Sequence, residues 1–173
     1  MLKLSASLMN LKVLSLRTNG TVAIAAEPII NPHNLRILGW WCQSPMSPSN
    51  LVLLASDVRD RSASELAIND EEDLSDPAEL VRHKDILDIN FELIGKTVKT
   101  KRHKLGKVND YSYTEDMLVR KLYVERPITK VFAADDTLII DRSQIIEVTN
   151  NWILVKDTDI KAGETSRIAV PAA

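Results

Sequence analysis

The chain has 173 residues, of which 45% are apolar and 27% are charged, and this length allows one domain or two small ones. The formal net charge of −2 supplies no overall field that would recruit nucleic acid or an anionic membrane. A single cysteine, Cys42, excludes a disulfide framework within the chain and fits a reducing compartment.

The first residues, Met1 to Met9, contain no long apolar run, and Lys12 and Arg17 follow soon after them. A secretory signal peptide needs a longer uninterrupted apolar core. No stretch of the sequence reads as a transmembrane segment. We therefore expect this end to lead into the first strand, and we expect a cytoplasmic protein.

Prolines divide the first half of the chain into short segments, because proline cannot donate to a central strand ladder. They predict a turn over residues 28–34 and a loop over residues 44–50, with Trp40 and Trp41 on the strand between them. Neighbouring residues on a strand face opposite ways, so one tryptophan should enter the core. The other is either an exposed anchor beside Met46 for a protein partner or a residue buried between two halves of the molecule.

The segment after this half is acidic and then helical in pattern. Asp76 is typical of a helix N-cap, Pro77 of the first helical position and Glu79 of the third. The spacing predicts a short amphipathic helix with Leu80, Ile86 and Leu87 on its apolar face. We expect it to link two domains and to pack on one of them.

The second half consists of short runs rich in β-branched residues, which are typical of strands. Turns are predicted at residues 101–104, 114–116, 134–136 and 150–151. Gly95 and Gly106 each stand before a predicted strand, which predicts a positive φ or a close backbone approach. Many short strands at close spacing favour a small barrel or a sandwich.

Three stretches in this half resemble the PRC-barrel domain family: Leu93-Ile94-Gly95-Lys96-Thr97-Val98, then Leu105-Gly106-Lys107-Val108-Asn109-Asp110, then Ile140-Asp141-Arg142-Ser143-Gln144-Ile145-Ile146. That family includes the cytoplasmic domain of the photosynthetic reaction-centre H subunit and the C-terminal domain of a ribosome maturation factor. The resemblance implies a compact, mostly antiparallel β-barrel without catalytic activity.

The first half matches the second in a constant register. Leu51–Arg59 aligns with Leu138–Ile146, and Glu65–Asp70 aligns with Trp152–Asp157, which indicates an internal duplication. The same comparison pairs Leu35 with Leu122 and Ile37 with Val124. It also pairs Gly20-Thr21-Val22 with Gly106-Lys107-Val108 after a one-residue shift.

The predicted fold is therefore all-β, with two tandem small PRC-like β-barrels joined by a short helix. The first, divergent barrel spans residues 1–73, the linker helix 74–89 and the second barrel 90–160. Residues 161–173 form a tail, in which Ile168-Ala169-Val170 either adds an edge strand or is disordered.

No pattern in the sequence predicts catalysis. His33, His83 and His103 lack metal-ligand spacing, and no serine lies in a nucleophile motif. Cys42 beside two tryptophans reads as a small buried apolar residue. We expect no enzyme, no metal and no cofactor.

A basic run between residues 96 and 107 is followed by Tyr111 and Tyr113, a combination seen where proteins bind single-stranded nucleic acid. The candidate nucleic-acid contacts are Lys99, Lys101, Arg102, Lys104 and Lys107. The alternative is a solvated hairpin whose lysines protect an edge strand from aggregation.

These patterns favour a non-catalytic adaptor of the PRC-barrel type that docks a protein partner, with Trp40 and Trp41 as candidate contacts. The alternative is an RNA- or ribosome-associated maturation or assembly factor that uses residues 96–107. The oligomeric state and the partner's identity stay open.

Overall fold

A computed structural model describes residues 1–127 and 137–157. Within these ranges the chain forms fourteen strands and one α-helix. The predicted turn at 134–136 and the predicted tail at 161–173, including Ile168-Ala169-Val170, lie outside the described residues. The strands are β1 Lys3–Leu4, β2 Leu11–Ser15, β3 Gly20–Ile30, β4 Ile37–Gln43, β5 Leu51–Leu54, β6 Asp60–Arg61, β7 Glu65–Ile68, β8 Leu74–Ser75, β9 Thr97–Lys99, β10 Lys104–Tyr113, β11 Val119–Glu125, β12 Thr137–Asp141, β13 Ile145–Val148 and β14 Trp152–Val155, and the helix is α1 Lys84–Ile89.

The strands form two sheets, one from each half of the chain. The first sheet has the order β6-β7-β2-β3-β4-β5-β8, and the second has the order β13-β14-β9-β10-β11-β12 with β1 added on β10. The mostly β fold is therefore confirmed. In both sheets, among the described residues, the hydrogen-bonded strands follow an open path, and the closed barrels that were predicted are not seen.

The two sheets share a common arrangement of strands. The order β6-β7-β2-β3-β4-β5 corresponds strand for strand to β13-β14-β9-β10-β11-β12. Each sheet has a parallel pair at the same place, β2 with β7 and β9 with β14, while the neighbouring pairs are antiparallel. A short 3-10 turn follows β5 in the first sheet, at Ala55–Asp57. Another follows the corresponding strand β12 in the second sheet, at Arg142–Gln144.

The strand pairings correct one part of the sequence alignment. Trp40 pairs with Leu53 in the first sheet, and Leu122 pairs with Ile140 at the corresponding place in the second. By register, Leu122 thus corresponds to Trp40 and not to Leu35. The alignment without gaps was wrong at this point because the connection from β11 to β12 is longer than the connection from β4 to β5. Residues that precede these connections were therefore matched with the wrong partners.

The buried side chains of both sheets form one contiguous cluster, from Leu8, Val13 and Trp40 to Val98 and Leu122. Strand β1, near the start of the chain, pairs with β10 of the second sheet. The backbones also meet where Ile37 N–H donates to Met117 O at 2.8 Å. The boundaries at residues 73 and 90 remain a prediction, but the two halves share one core.

The linker between the sheets is less helical than its sequence predicts. Asp76 caps a 3-10 turn at Pro77–Glu79 by accepting from the Ala78 N–H at 2.8 Å, a second 3-10 turn follows, and only Lys84–Ile89 is α-helical. Leu80 has φ −86° and ψ 59°, which interrupts the helix. The predicted apolar face nevertheless packs on the first sheet, because Leu80, Ile86 and Leu87 cluster with Ile29 and Val52.

Both glycines have the predicted backbone roles, although Gly106 lies inside β10 and not before it. Gly95 has φ +86°, and a Cβ on Gly106 would lie 2.0 Å from the Glu125 carbonyl oxygen. The predicted turn at Asn150 and Asn151 joins β13 to β14, but neither asparagine has a positive φ. Its geometry comes from the Thr149 hydroxyl, which accepts from Trp152 N–H at 3.1 Å.

Candidate functional site

A cavity of about 370 Å³ opens where the first sheet, α1 and the entry to the second sheet meet. We call it the junction groove. Its apolar wall includes Ile29, Trp41, Leu87, Phe91 and Leu93. Strand β3 supplies Ile29 and strand β4 supplies Trp41, while α1 and the residues after it supply the rest.

The alternation of strand β4 decides which tryptophan reaches the groove. Trp40 points into the shared core, is 1% exposed, and its indole Nε1–H donates to Leu8 O at 3.0 Å. Trp41 points to the opposite face, is half-buried, and packs against the cluster around Leu87. Of the two candidate partner contacts, Trp40 is therefore inaccessible, and only Trp41 offers surface to another molecule.

Apolar side chains also remain exposed at the groove's rim. Met9 is 42% exposed and Ile94 is 50% exposed, and both line the cavity. Large apolar residues that stay in water beside an apolar cavity are typical of a binding surface. Met46, which the sequence suggested as a neighbour of the exposed tryptophan, is 80% exposed in the loop after β4 and does not line the groove.

The polar groups of the groove are acidic or neutral. Glu27 and Glu92 both line it and are both exposed. Behind the wall, Asp110 accepts hydrogen bonds from Ser5 Oγ at 2.5 Å and from the Tyr111 N–H at 2.7 Å. Burial, and then the negative charge of Asp110, raise the pKa of Tyr111 above its ordinary value, so its phenol stays a neutral hydroxyl. This arrangement provides apolar contact and negative potential, and it suits binding.

The basic residues form the tip and the flanks of the β9–β10 hairpin. Lys101, Arg102 and Lys104 are exposed around its turn, and Lys107 is exposed on β10. The Thr100 hydroxyl holds the turn by accepting from the Arg102 and His103 N–H groups at 3.2 and 3.0 Å. We call residues 96–107 the basic hairpin.

The aromatic neighbour of the basic hairpin is not the one that the sequence suggested. Tyr111 and Tyr113 are 2% and 0% exposed, so neither is free to stack on a base. Instead, the Lys99 ammonium lies 3.9 Å from the ring centroid of the half-buried Trp152. Trp152 reaches this place because β14 runs parallel to β9, pairing Trp152 with Thr97.

Three further features bear on function within residues 1–127 and 137–157. No cluster of three or more His, Cys, Asp or Glu side chains is placed to hold a metal ion there. The described part of the chain also contains no helix with the length and apolarity needed to cross a membrane. Burial raises the pKa of the Cys42 thiol to about 12, so it is neutral and unreactive at ordinary pH.

Comparisons of the sequence with protein-family models and with curated proteins gave no match. The site must therefore be interpreted from its own geometry.

Sequence reasoning identified Trp41 and the apolar face of the linker, but it missed the groove between them. The groove depends on Met9 and Ile94, which are distant in sequence from Trp41. One signal was present: a short linker helix with a narrow apolar face leaves part of a tryptophan-bearing strand uncovered.

Proposed function

We propose that this protein is a non-catalytic adaptor that docks a protein partner in the junction groove. The observation that carries this proposal is that half-buried Trp41 lines the same cavity as the exposed apolar residues Met9 and Ile94. Tryptophan is enriched among residues that dominate binding energy, because its large surface is desolvated at little entropic cost.

We also propose that the two sheets are copies of one unit of the PRC-barrel type. The common order of six strands and the parallel pair at the same place in each sheet support a duplication. The PRC resemblance of the second half favours binding over catalysis, as fold-level analogy. A cytoplasmic location remains part of this proposal.

Site-specific photo-crosslinking tests the docking site. A benzoylphenylalanine probe replaces Ile94 at the rim of the groove, and in a matched variant it replaces Leu16, which is 54% exposed and does not line the groove. The labelled proteins are irradiated in a lysate of the source organism, with and without nuclease. We expect one protein to crosslink from position 94 but not from position 16, regardless of nuclease.

Equal crosslinking from both positions would contradict docking in the groove. Crosslinks that disappear with nuclease would favour an assembly held by RNA.

A second candidate function is contact with single-stranded RNA through the basic hairpin. The observation that favours it is the Lys99 ammonium over the Trp152 ring, beside the exposed Lys101 and Lys104. Stacking on an aromatic ring next to lysine–phosphate contacts is how many proteins bind single strands. Because the net charge of the chain is −2, any electrostatic attraction to RNA must come from the basic hairpin itself.

Fluorescence anisotropy with a labelled oligouridine of roughly 20 nucleotides tests this candidate. The Lys101→Ala/Lys104→Ala variant should weaken binding and lower the salt slope by about 0.7 for each phosphate that the protein no longer neutralises. Lys12→Ala/Lys84→Ala removes the same charge from exposed sites elsewhere and serves as the control. Equal affinity of both double variants would rule out the basic hairpin as the contact.

A further inference from the structure

We propose that the junction groove recognises a peptide segment in which an apolar anchor is flanked by lysine or arginine. This inference rests on the proposed docking function and adds the chemistry of the partner.

The size of the groove sets the kind of anchor. At about 370 Å³ it lies near the lower end of the roughly 300–1,000 Å³ range of ligand pockets. Such a space takes a few side chains and not a folded surface. The apolar wall formed by Ile29, Trp41 and Leu87 favours an aliphatic or aromatic anchor, since burying it removes apolar surface from water on both partners.

The charges of the groove determine which residues of the partner are favoured beside its apolar anchor. Glu27 on β3 and Glu92 after α1 both line it, and no basic side chain does so among the described residues. Asp110 lies behind the wall next to Tyr111 and adds negative potential. The Lys96 ammonium sits 5.0 Å from the Phe91 ring centroid, outside the lining. A partner with cations beside its anchor would complement both rim carboxylates, whereas an acidic partner would be repelled.

A neutral polar group can hold the backbone of such a segment. Asn90 lines the groove and is exposed, whereas Tyr111, which also lines it, is 2% exposed. Asn90 adopts φ 48° where α1 ends, so the chain turns sharply and Phe91 reaches the cavity wall. Peptide carbonyls and N–H groups of an extended partner need donors and acceptors of this kind.

Selection from a phage-displayed library of random dodecapeptides tests the proposal. The bait is the full chain, and the counter-selection uses Met9→Ser/Ile94→Ser, which alters only exposed rim residues and so should leave folding intact. We expect the enriched peptides to contain an aromatic or large aliphatic residue with lysine or arginine within a few positions. We expect no enrichment on the counter-selected variant.

The enriched peptide, made synthetically and labelled, then serves as the probe in anisotropy titrations. Glu27→Gln/Glu92→Gln should weaken its binding about 5- to 10-fold and should reduce the effect of added salt. Glu115→Gln/Glu125→Gln, which neutralises two exposed carboxylates outside the groove, should leave the affinity unchanged.

The possible failures separate the two proposals. Enrichment of apolar peptides without basic residues, bound equally by the Glu27→Gln/Glu92→Gln variant, would overturn the inference and leave the docking function standing. Enriched peptides that also bind the Met9→Ser/Ile94→Ser variant, or no enrichment at all, would overturn both.

Discussion

Gly106 shows how a single position constrains the second sheet. Its missing side chain allows β10 to approach β11 so closely that an added Cβ would lie 2.0 Å from the Glu125 carbonyl oxygen. The obstacle is backbone, which cannot rotate away as a flexible side chain can. The glycine is therefore a packing requirement of this strand pair.

We predict that Gly106→Ala lowers the free energy of unfolding by about 2–4 kcal/mol, because the two strands must separate or distort. The control is Gly20→Ala, where the nearest atom to an added Cβ is Thr18 Oγ1 at 3.6 Å. Urea unfolding followed by tryptophan fluorescence measures both. A similar destabilisation of the two variants would show that the close approach at Gly106 is not what matters.

Cys42 makes stability depend on alkaline pH. Its thiol has a pKa raised from 9.0 to about 12 by burial. Between these values the folded protein holds a proton that the unfolded chain releases, so the folded state loses stability as pH rises through this window. Burial raises the pKa of Tyr111 too, and it acts in the same direction.

We predict that the urea midpoint of the native protein falls between about pH 8 and about pH 10.5, and that Cys42→Ala reduces this fall. In the same series, iodoacetamide should label Cys42 at about pH 8 only after urea unfolds the protein. Rapid labelling of the folded protein would contradict the buried, protonated thiol.

At the scale of elements, α1 acts as a cover for the first sheet and as a wall of the junction groove. Six residues form too short a helix to be stable alone, so its stability comes from packing. Leu87 is 7% exposed and sits on Ile29 and Val52.

We predict that Leu87→Ala costs about 2–3 kcal/mol of unfolding free energy and weakens binding at the groove, since it leaves a cavity beneath α1. Val81→Ala is the control in the same linker, because Val81 is 75% exposed and should change stability by about 0.5 kcal/mol or less. Denaturant unfolding and anisotropy with the selected peptide provide the two readouts. Equal destabilisation by the two changes would mean that the linker is not held in place through Leu87.

Local patterns in the sequence predicted several features whose cause was local. The Asp76 cap, the turn at Asn150 and the opposite directions of Trp40 and Trp41 follow from rules that span a few residues. The turn predicted from Pro28 was wrong at its start, because β3 continues to Ile30 and Pro28 pairs with Trp40 inside it. The α-helical extent was overestimated because the backbone at Leu80 breaks the helix, which the apolar spacing did not reveal.

Non-local features were harder to predict. The pairing of β1 with β10 joins Lys3 to Tyr113, and no local pattern specifies a partner so distant in the chain. The groove has the same origin, since Met9 and Ile94, which line one cavity, are far apart in the sequence. Trp152 was overlooked as the aromatic neighbour of Lys99 because a parallel pairing brings them together.

At the scale of the whole molecule, Arg61 connects the two sheets through contacts of its side chain. It lies on β6 of the first sheet, and its guanidinium donates to Ser7 O at 2.9 Å and to the Tyr113 hydroxyl. The same group sits 5.3 Å from the Tyr113 ring centroid and 6.0 Å from that of Trp40. No pattern in the sequence singles out this arginine, because its partners lie far from it along the chain.

We predict that Arg61→Ala lowers the free energy of unfolding by about 2–3 kcal/mol, since it removes these contacts and takes from the part-buried Ser7 O its donor, while the Tyr113 hydroxyl keeps its bond to the Ser7 hydroxyl. Arg59→Ala, two residues away and exposed, should cost about 0.5 kcal/mol or less. Thermal and urea unfolding compare the two. If Arg59→Ala lowered the free energy of unfolding more than Arg61→Ala, the contact with Tyr113 would not be what connects the two sheets.

The placement of β1 in the second sheet has a practical consequence for dividing the protein. A cut between Ser75 and Asp76 leaves one piece with the whole first sheet and β1, and another with α1 and the rest of the second sheet. Each piece then lacks a segment that only the other provides. The two should therefore recombine into an intact whole when produced together, as in fragment complementation, and reporter halves attached to them would signal that reassembly.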